Sequence, residues 1–322
     1  MTALLTRRPV RHVLAGLVPL VVVGVVLTVV LAWRYETAAA PVREASARAV
    51  ATVQGSGLGA DGRGVELRWV DQQQTQRTGI VRAARSGTVP LGAQVQVRYV
   101  PSDPARVYAA GDETEARLRD IAFGIAVVLL VLLVAVAASV VHVVRRLAAR
   151  RRPGTAVTVT YARTRRRLLR RSWLVVADRG RTWWLPVHWD PALSRLGSDA
   201  EATVHGQPGR GRVVTVDVPG ATVWQASGRV RTDPPRGEVD TDEDLWSAPG
   251  PAARPATASA DAAGIGVGRH LRTDGAVLVA APLLGLLWAY VDGSGWGGAI
   301  VATVLVGAVL LWLPTLLGSD PT

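Results

Sequence analysis

The sequence predicts a membrane protein of the α+β class, in which four transmembrane helices carry two small β-rich modules. Four long apolar runs support this prediction, and they lie at residues 13–33, 121–144, 275–291 and 296–317. None of the runs contains Asp, Glu or Arg, and about 20 apolar residues suffice for a helix to cross a bilayer. The segments between the runs leave room for two small domains, the first module (residues 34–120) and the second module (residues 145–233).

Arginine is unevenly distributed around these runs. The N-terminal tail has 3 Arg and no acidic residue, residues 34–120 have 12 Arg against 10 acidic residues, and residues 145–274 have 22 against 13. Because basic residues close to a span stay in the cytoplasm, we expect both termini and the second module inside the cell and the first module outside. All 37 basic residues are arginine, which indicates a high-GC bacterial genome. Together with the four apolar runs, this predicts a multi-pass protein of a bacterial cell membrane.

The first run has a second interpretation as a signal peptide. Arg7 and Arg8 could form its basic region, with a cleavage site at residues 38–40. Because the apolar run of 21 residues exceeds the usual signal-peptide core, we favour an uncleaved anchor. Cleavage would leave the sidedness of the remaining chain unchanged.

Alternating apolar and polar residues predict short strands in the first module. Val65, Leu67 and Trp69 would share one face of a strand, and residues 95–99 repeat the pattern. The prolines of residues 101–104 should end that last strand, since proline lacks the N–H that a sheet requires.

A resemblance adds to this interpretation. A strand at residues 49–53 opens the module behind the first span, and the module closes with Gly92-x-x-Val95-x-Val97-x-Tyr99-x-Pro101-x-Asp103-Pro104. This arrangement resembles the bacterial membrane proteins grouped as domain of unknown function 3592. The resemblance covers only this module and its flanking spans. It implies a small extracytoplasmic β-module between two helices, and it brings no activity, cofactor or catalytic residue.

The second module is also rich in predicted strands. They lie at residues 156–161, 173–177, 183–189, 202–204 and 212–218, with Gly and Pro at the breaks. This number of strands in so short a segment predicts a small SH3-like or OB-like barrel. The predicted order is a tail (1–12), the first span, the first module, the second span, the second module, a disordered acidic and Pro/Ala-rich linker (234–274), the third span, an outer turn (292–295), the fourth span and a tail (318–322).

Arginines cluster after the second span and at residues 163–171, which should form a hairpin tip. We favour a solvated tip, with anionic lipid head groups as the next partner and nucleic acid as a less favoured one. The acidic residues 238–244 could instead fold back onto this tip. The candidate lipid contacts are Arg145, Arg146, Arg150, Arg151, Arg152, Arg165, Arg166, Arg167, Arg170 and Arg171.

Small residues recur at four-residue spacing in the last two spans. They are Ala281, Gly285 and Ala289 in the third span and Ala299, Thr303 and Gly307 in the fourth. Such spacing lets two helices pack closely. It predicts a helical hairpin, and it could equally serve a homodimer.

The sequence offers no recognisable catalytic, cofactor or metal site. Cysteine is absent, and the five histidines share no metal-ligand spacing. Residues 55–60 match a dinucleotide fingerprint by letters, but a strand follows them rather than a helix. His188 and Asp190 could orient an imidazole for acid–base chemistry, yet a strand-end histidine held by local hydrogen bonds is the better interpretation.

The absence of catalytic groups favours a non-enzymatic scaffold or envelope-associated interaction protein with an unidentified protein partner. One alternative is a transporter or channel subunit, although His142 is the only histidine or charged residue within the four runs. Another alternative is a membrane-tethered binder of anionic lipid or nucleic acid that acts through residues 163–171.

Single cysteines can test the predicted sidedness, because the chain has none of its own. We expect Gln73→Cys to react with a membrane-impermeant thiol reagent in intact cells. Gln207→Cys should react only after lysis. Labelling of the second variant in intact cells, or none of the first, would reverse the arrangement.

Overall fold

The computed structural model describes residues 8–85, 89–166, 169–178, 180–197, 199–207, 213–235, 238–241, 272 and 274–320. The chain divides into two compact units. The larger unit comprises Met1–Gly24 and Leu132–Thr322, and the smaller unit comprises Val25–Val131.

Four helices of the described chain are long and apolar enough to cross a membrane. They are α1 (Arg8–Glu44), α2 (Glu113–Arg150), α3 (Ala281–Asp292), which continues a 3-10 turn (Gly275–Ala280), and α4 (Gly295–Leu317). Large apolar side chains stay exposed along them, including Val29 at 62% and Leu133 at 66%, as a lipid-facing surface requires. This confirms the prediction of four helices able to span a membrane.

The smaller unit contains a five-stranded antiparallel sheet. Its strands are β1 (Ala47–Leu58), β2 (Gly64–Val70), β3 (Gln76–Arg82), β4 (Gln94–Val100) and β5 (Asp103–Ala109), in the order β3-β2-β1-β4-β5. A Cβ on Gly79 of β3 would lie 3.0 Å from both the Trp69 ring and Val107 of β5. The two edge strands therefore approach each other, and the sheet is curled.

The predicted alternation in the first module is confirmed. Val65, Leu67 and Trp69 are buried in the core of the sheet together with Val97 and Tyr99. β4 ends directly before the first proline of residues 101–104, as predicted, but the chain then returns as β5, which the sequence did not indicate. β5 can include a proline because it is an edge strand, where one missing N–H breaks no ladder.

The larger unit contains a second antiparallel sheet. Its strands are β6 (Gly154–Arg166), β7 (Leu169–Asp178), β8 (Arg181–Val187), β9 (Ala200–His205), β10 (Thr215–Val218), β11 (Ala221–Trp224) and β12 (Glu238–Thr241). The main order is β11-β10-β9-β6-β7-β8, and β12 pairs with β6.

Backbone hydrogen bonds close this sheet into a barrel. The His188 N–H donates to the Trp224 carbonyl over 2.9 Å, and the Ala226 N–H donates to the Pro186 carbonyl over 2.9 Å. The end of β8 therefore joins the end of β11, and Leu174 and Leu185 lie fully buried inside. Closure removes the unpaired edges that would otherwise remain. Whether the barrel is SH3-like or OB-like stays a prediction.

The five strands predicted for the second module correspond to β6 to β10, but the predicted linker begins with a strand. β12 lies antiparallel to Ala162–Arg165 of β6, with Glu238 opposite Arg165 and Asp240 opposite Arg163 in register. The beginning of the acidic stretch thus pairs with the strand that carries the arginines. Most of the linker, residues 242–271, lies outside the described residues.

α3 and α4 form an antiparallel hairpin packed through the predicted small residues. A Cβ on Gly285 would lie 2.7 Å from the backbone N and Cα of Thr303, and one on Gly307 would lie 3.6 Å from Ala281. Ala289 and Ala299 are also buried. Because contacts within one chain account for this spacing, the homodimer stays a prediction without further support.

A leucine at Gly285 should separate the hairpin. The new side chain meets the backbone of Thr303 as well as its hydroxyl, and the backbone cannot move aside cheaply. The free energy of unfolding should therefore fall by about 1–3 kcal/mol, as for other overpacked sites. Thermal unfolding of the full chain in detergent measures the effect. Gly297→Leu is the matched control, since its Cβ would have nothing within 4 Å. Equal unfolding temperatures for both variants would contradict the proposed packing.

Candidate functional site

Three histidines converge in the larger unit, where the helices meet the barrel. His12 comes from α1, His142 from α2 and His188 from the end of β8, and they are only 3%, 5% and 1% exposed. Polar groups buried this deeply are normally hydrogen-bonded. Their partners therefore determine what the cluster can do.

His142 and His188 are bonded to each other. Their Nε2 atoms lie 2.9 Å apart, and the Nδ1 atom of His142 lies 3.3 Å from the hydroxyl of Ser227. A neutral imidazole has one N–H donor and one acceptor nitrogen. One ring must therefore donate while the other accepts, so a single proton lies between the two histidines.

His12 connects this pair to the start of the third span. Its Nε2 atom lies 3.4 Å from the Asp274 carboxylate, which also accepts a hydrogen bond of 3.0 Å from Ser319. The ring of His12 stands edge-on to His188, with 6.5 Å between the centroids. Residues from four helix ends and one strand end therefore share a single polar cluster, the histidine cluster, formed by His12, His142, His188, Asp274 and Ser319.

The last described residue docks into the barrel beside this cluster. The Asp320 carboxylate accepts hydrogen bonds from Tyr161 over 2.7 Å and from Ser172 over 2.8 Å, and Arg163 lies 3.7 Å away. Burial, with the charge of Asp320 as the next cause, raises the pKa of the Tyr161 phenol. The phenol therefore keeps its proton and remains a donor. The predicted cytoplasmic tail (318–322) thus includes two buried polar residues, Ser319 and Asp320.

A glycine makes this docking sterically feasible. Gly318 ends α4 with a φ of 71°, and a Cβ there would lie 2.8 Å from the Val187 carbonyl oxygen. Only glycine combines this left-handed conformation with so close an approach. The end of α4 can therefore rest directly on the end of β8.

Two of the predicted lipid-contacting arginines are used inside the protein. Arg146 is 4% exposed and donates to the carbonyls of Gln225 and His142. Arg171 donates to the carbonyls of Leu317 and Ser227. Both guanidinium groups thus have hydrogen-bond partners within the protein. Contact of either one with lipid stays a prediction.

The other candidate arginines differ in exposure. Arg152 is partly exposed and donates to the Val213 carbonyl over 3.2 Å. Four more, Arg145, Arg150, Arg151 and Arg170, are exposed. The side chains of Arg165, Arg166 and Arg167 lie outside the described residues.

A cleft of about 600 Å³ opens beside His142. α2, the last turn of α4 and the segment after β11 form its walls. Its polar lining includes Arg145, Arg146, Ser227 and Arg229. The cleft is therefore basic, and no acidic residue of the described chain lines it.

The predicted local chemistry at His188 is replaced by a long-range contact. The Asp190 carboxylate accepts from the Ala192 N–H over 2.9 Å and so caps a turn. His188 bonds to His142, so at least one of its partners is distant in the sequence. No group of three or more potential ligands among the described residues is arranged to hold a metal ion. Residues 55–60 lie at the end of β1, and β2 follows without an intervening helix.

One sequence signal could have pointed to the histidine cluster. His12 directly precedes the first apolar run, His142 lies near the end of the second, and Asp274 directly precedes the third. Ser319 follows the fourth run closely. Each predicted span thus has a polar residue at the end predicted to be cytoplasmic, although no fixed spacing marks them.

Comparison with protein-family models, with curated proteins and with solved structures found no match. The resemblance of the first module to domain of unknown function 3592 therefore stays a prediction.

The shared proton predicts strong coupling between His142 and His188. Phenylalanine at either position should lower the free energy of unfolding by about 1–3 kcal/mol, because it leaves the other imidazole without its partner. The double variant should lose clearly less than the sum, since no unpaired nitrogen then faces an apolar ring. Unfolding of the four proteins in detergent measures the coupling.

His205 supplies the control for this cycle. It belongs to the same barrel, but its nitrogens bond to Asp217 and to the Arg152 carbonyl, each over 2.9 Å. The effects of His142→Phe and His205→Phe should therefore add. Additivity in the first cycle as well would show that the two buried rings are not coupled.

Proposed function

We propose that this protein is a non-enzymatic scaffold or envelope-associated interaction protein of a bacterial plasma membrane, which anchors two β-modules on four spans. The proposal rests on one observation, which is that polar groups at the helix ends form hydrogen bonds within the protein. His12, His142 and Arg146 bond to the barrel, to its loops or to neighbouring chain segments. In the described chain they therefore serve to hold a module on its anchor.

The distribution of polar groups argues against the transporter alternative. Coupled transporters place charged or strongly polar side chains near the middle of the bilayer. Here the charged residues of the helices lie beyond the apolar runs, and His142 lies near the end of the second run. If this chain were part of a transporter, a partner protein would have to supply the polar groups that line the pathway.

A cleft in the smaller unit supports the interaction role. It has a volume of about 550 Å³ and lies between the sheet and the adjoining helix ends, lined by Val50, Arg98, Tyr108 and Leu118 among others. Val50 is 58% exposed. Apolar and cationic side chains in one groove suit an amphipathic segment of another protein.

In-cell photocrosslinking tests the scaffold role. A photoreactive amino acid at Gln96, which lines this cleft, should form adducts with one or a few proteins. A second site at Thr158 lies in a surface cleft of the barrel in the larger unit, and it should capture a different set, since we propose that the modules face different compartments.

Thr78 is the matched control, because it is exposed on the same sheet as Gln96 but lies outside the cleft. It should give few adducts. If Gln96 and Thr158 both remain free of protein adducts in living cells, the scaffold role is wrong.

A further inference from the structure

The basic cleft beside His142 contains a buried cation that has no anionic partner in the part of the chain that the structure describes. The guanidinium of Arg146 lines the cleft and is 4% exposed. Its hydrogen bonds go to the Gln225 and His142 carbonyls, which carry no net charge. Among the described residues no carboxylate lies within ion-pair distance of it. A buried charge is costly unless it is paired, so the cleft favours an anion.

Two further arginines supply charge at the mouth of this cleft. Arg145 on α2 and Arg229 after β11 line the opening and are exposed. Ser227 adds a hydroxyl, and Gly228 adds backbone at the same rim. Several guanidinium groups around one small volume are typical of phosphate recognition.

The other side of the cleft is apolar and continues the surface of the helices. Ala138 and Val141 of α2 line it together with Leu316 of α4. Val141 is 48% exposed, and the neighbouring Val140 and Val144 are 54% and 55% exposed. The charged side thus begins where the apolar surface of α2 ends, at the position where a membrane-spanning helix meets the head groups.

We propose that the cleft binds an anionic phospholipid. The phosphate head group lies among Arg145, Arg146 and Arg229, and the acyl chains run along Val141 and Leu316. A free phosphate compound would fit the charged side equally well, but it would leave the apolar side uncovered. The lipid satisfies both halves of the cleft and supplies the anion that the buried guanidinium lacks. This inference does not depend on the scaffold role.

The location differs from the hairpin tip that the sequence suggested. Arg163 and Arg171 lie within β6 and β7 rather than at a tip. Arg171 donates to the Leu317 and Ser227 carbonyls, and the Arg163 guanidinium lies near Asp320 and over the Tyr161 ring. These charges are engaged within the protein. In the cleft, by contrast, Arg145 and Arg229 have no hydrogen-bond or ion-pair partner among the described residues, and the cleft lies at the end of a span.

Titration of the full chain in detergent with phosphatidylglycerol, followed by native mass spectrometry, tests the proposal. Arg145→Gln with Arg229→Gln should weaken binding about fivefold for each arginine lost, the usual contribution of a basic residue near anionic lipid. Arg150→Gln with Arg151→Gln is the control, because it removes the same amount of charge at the end of α2 but outside the cleft. Equal weakening by both pairs would show diffuse attraction and would overturn the site.

Two more arms distinguish a lipid from a soluble phosphate. Ala138→Phe fills the apolar side and keeps every arginine, so it should weaken phosphatidylglycerol binding. Inorganic phosphate at millimolar concentration should displace the lipid poorly. Full displacement by phosphate together with wild-type binding by Ala138→Phe would assign the cleft to a soluble anion and reject the lipid. Binding of phosphatidylcholine as tight as that of phosphatidylglycerol would reject the role of the arginines.

The unfolding temperature of each variant serves as an internal check. Arg145 and Arg229 form no hydrogen bond or ion pair with other described residues, so the double variant should unfold at the wild-type temperature when lipid is absent. A lipid-dependent rise in that temperature should appear in the wild type and the control pair, and it should be smaller in the cleft pair. Equal rises in all three proteins would contradict the proposal.

Discussion

The larger unit depends on one constraint: polar groups at the ends of apolar helices must find partners once the barrel covers them. A buried donor or acceptor left unsatisfied costs about 1–3 kcal/mol. The helix ends meet this requirement by bonding to each other and to the barrel. His142 bonds to His188, and Asp274 bonds to both His12 and Ser319. The same bonds that avoid the penalty also fix where the barrel lies on its helices.

This constraint explains the close fit at the end of α4. The chain must turn sharply enough for Ser319 to reach Asp274 and for Asp320 to reach Tyr161. Gly318 permits the turn because it can adopt a positive φ beside the Val187 carbonyl. Steric freedom at one residue therefore allows two hydrogen-bonded contacts that tie the last span to the barrel.

Local patterns were enough to predict most of the elements, and they failed for most of the contacts between them. The four runs and the alternation of Val65, Leu67 and Trp69 are short-range properties, so the spans and most strands could be predicted. The bond between His12 and Asp274 joins residues 262 positions apart, and no periodicity encodes it. β12 was missed for a related reason, because its polar sequence becomes a strand only through pairing with β6.

The buried polar and charged groups of the larger unit differ in the partners that they have within the protein, and this difference draws attention to the cleft. Asp320 is balanced by two hydroxyl donors and by the nearby Arg163. Asp274 accepts from Ser319 and lies beside His12. The histidine pair shares a proton and needs no net charge. Arg146 and the partly buried Arg171 both donate to carbonyls, and of the two only Arg146 lines the cleft beside His142. An anion from outside the protein would supply the charged partner that Arg146 lacks among the described residues. At the end of a membrane-spanning helix, the most abundant source of such an anion is the phosphate layer of the bilayer itself.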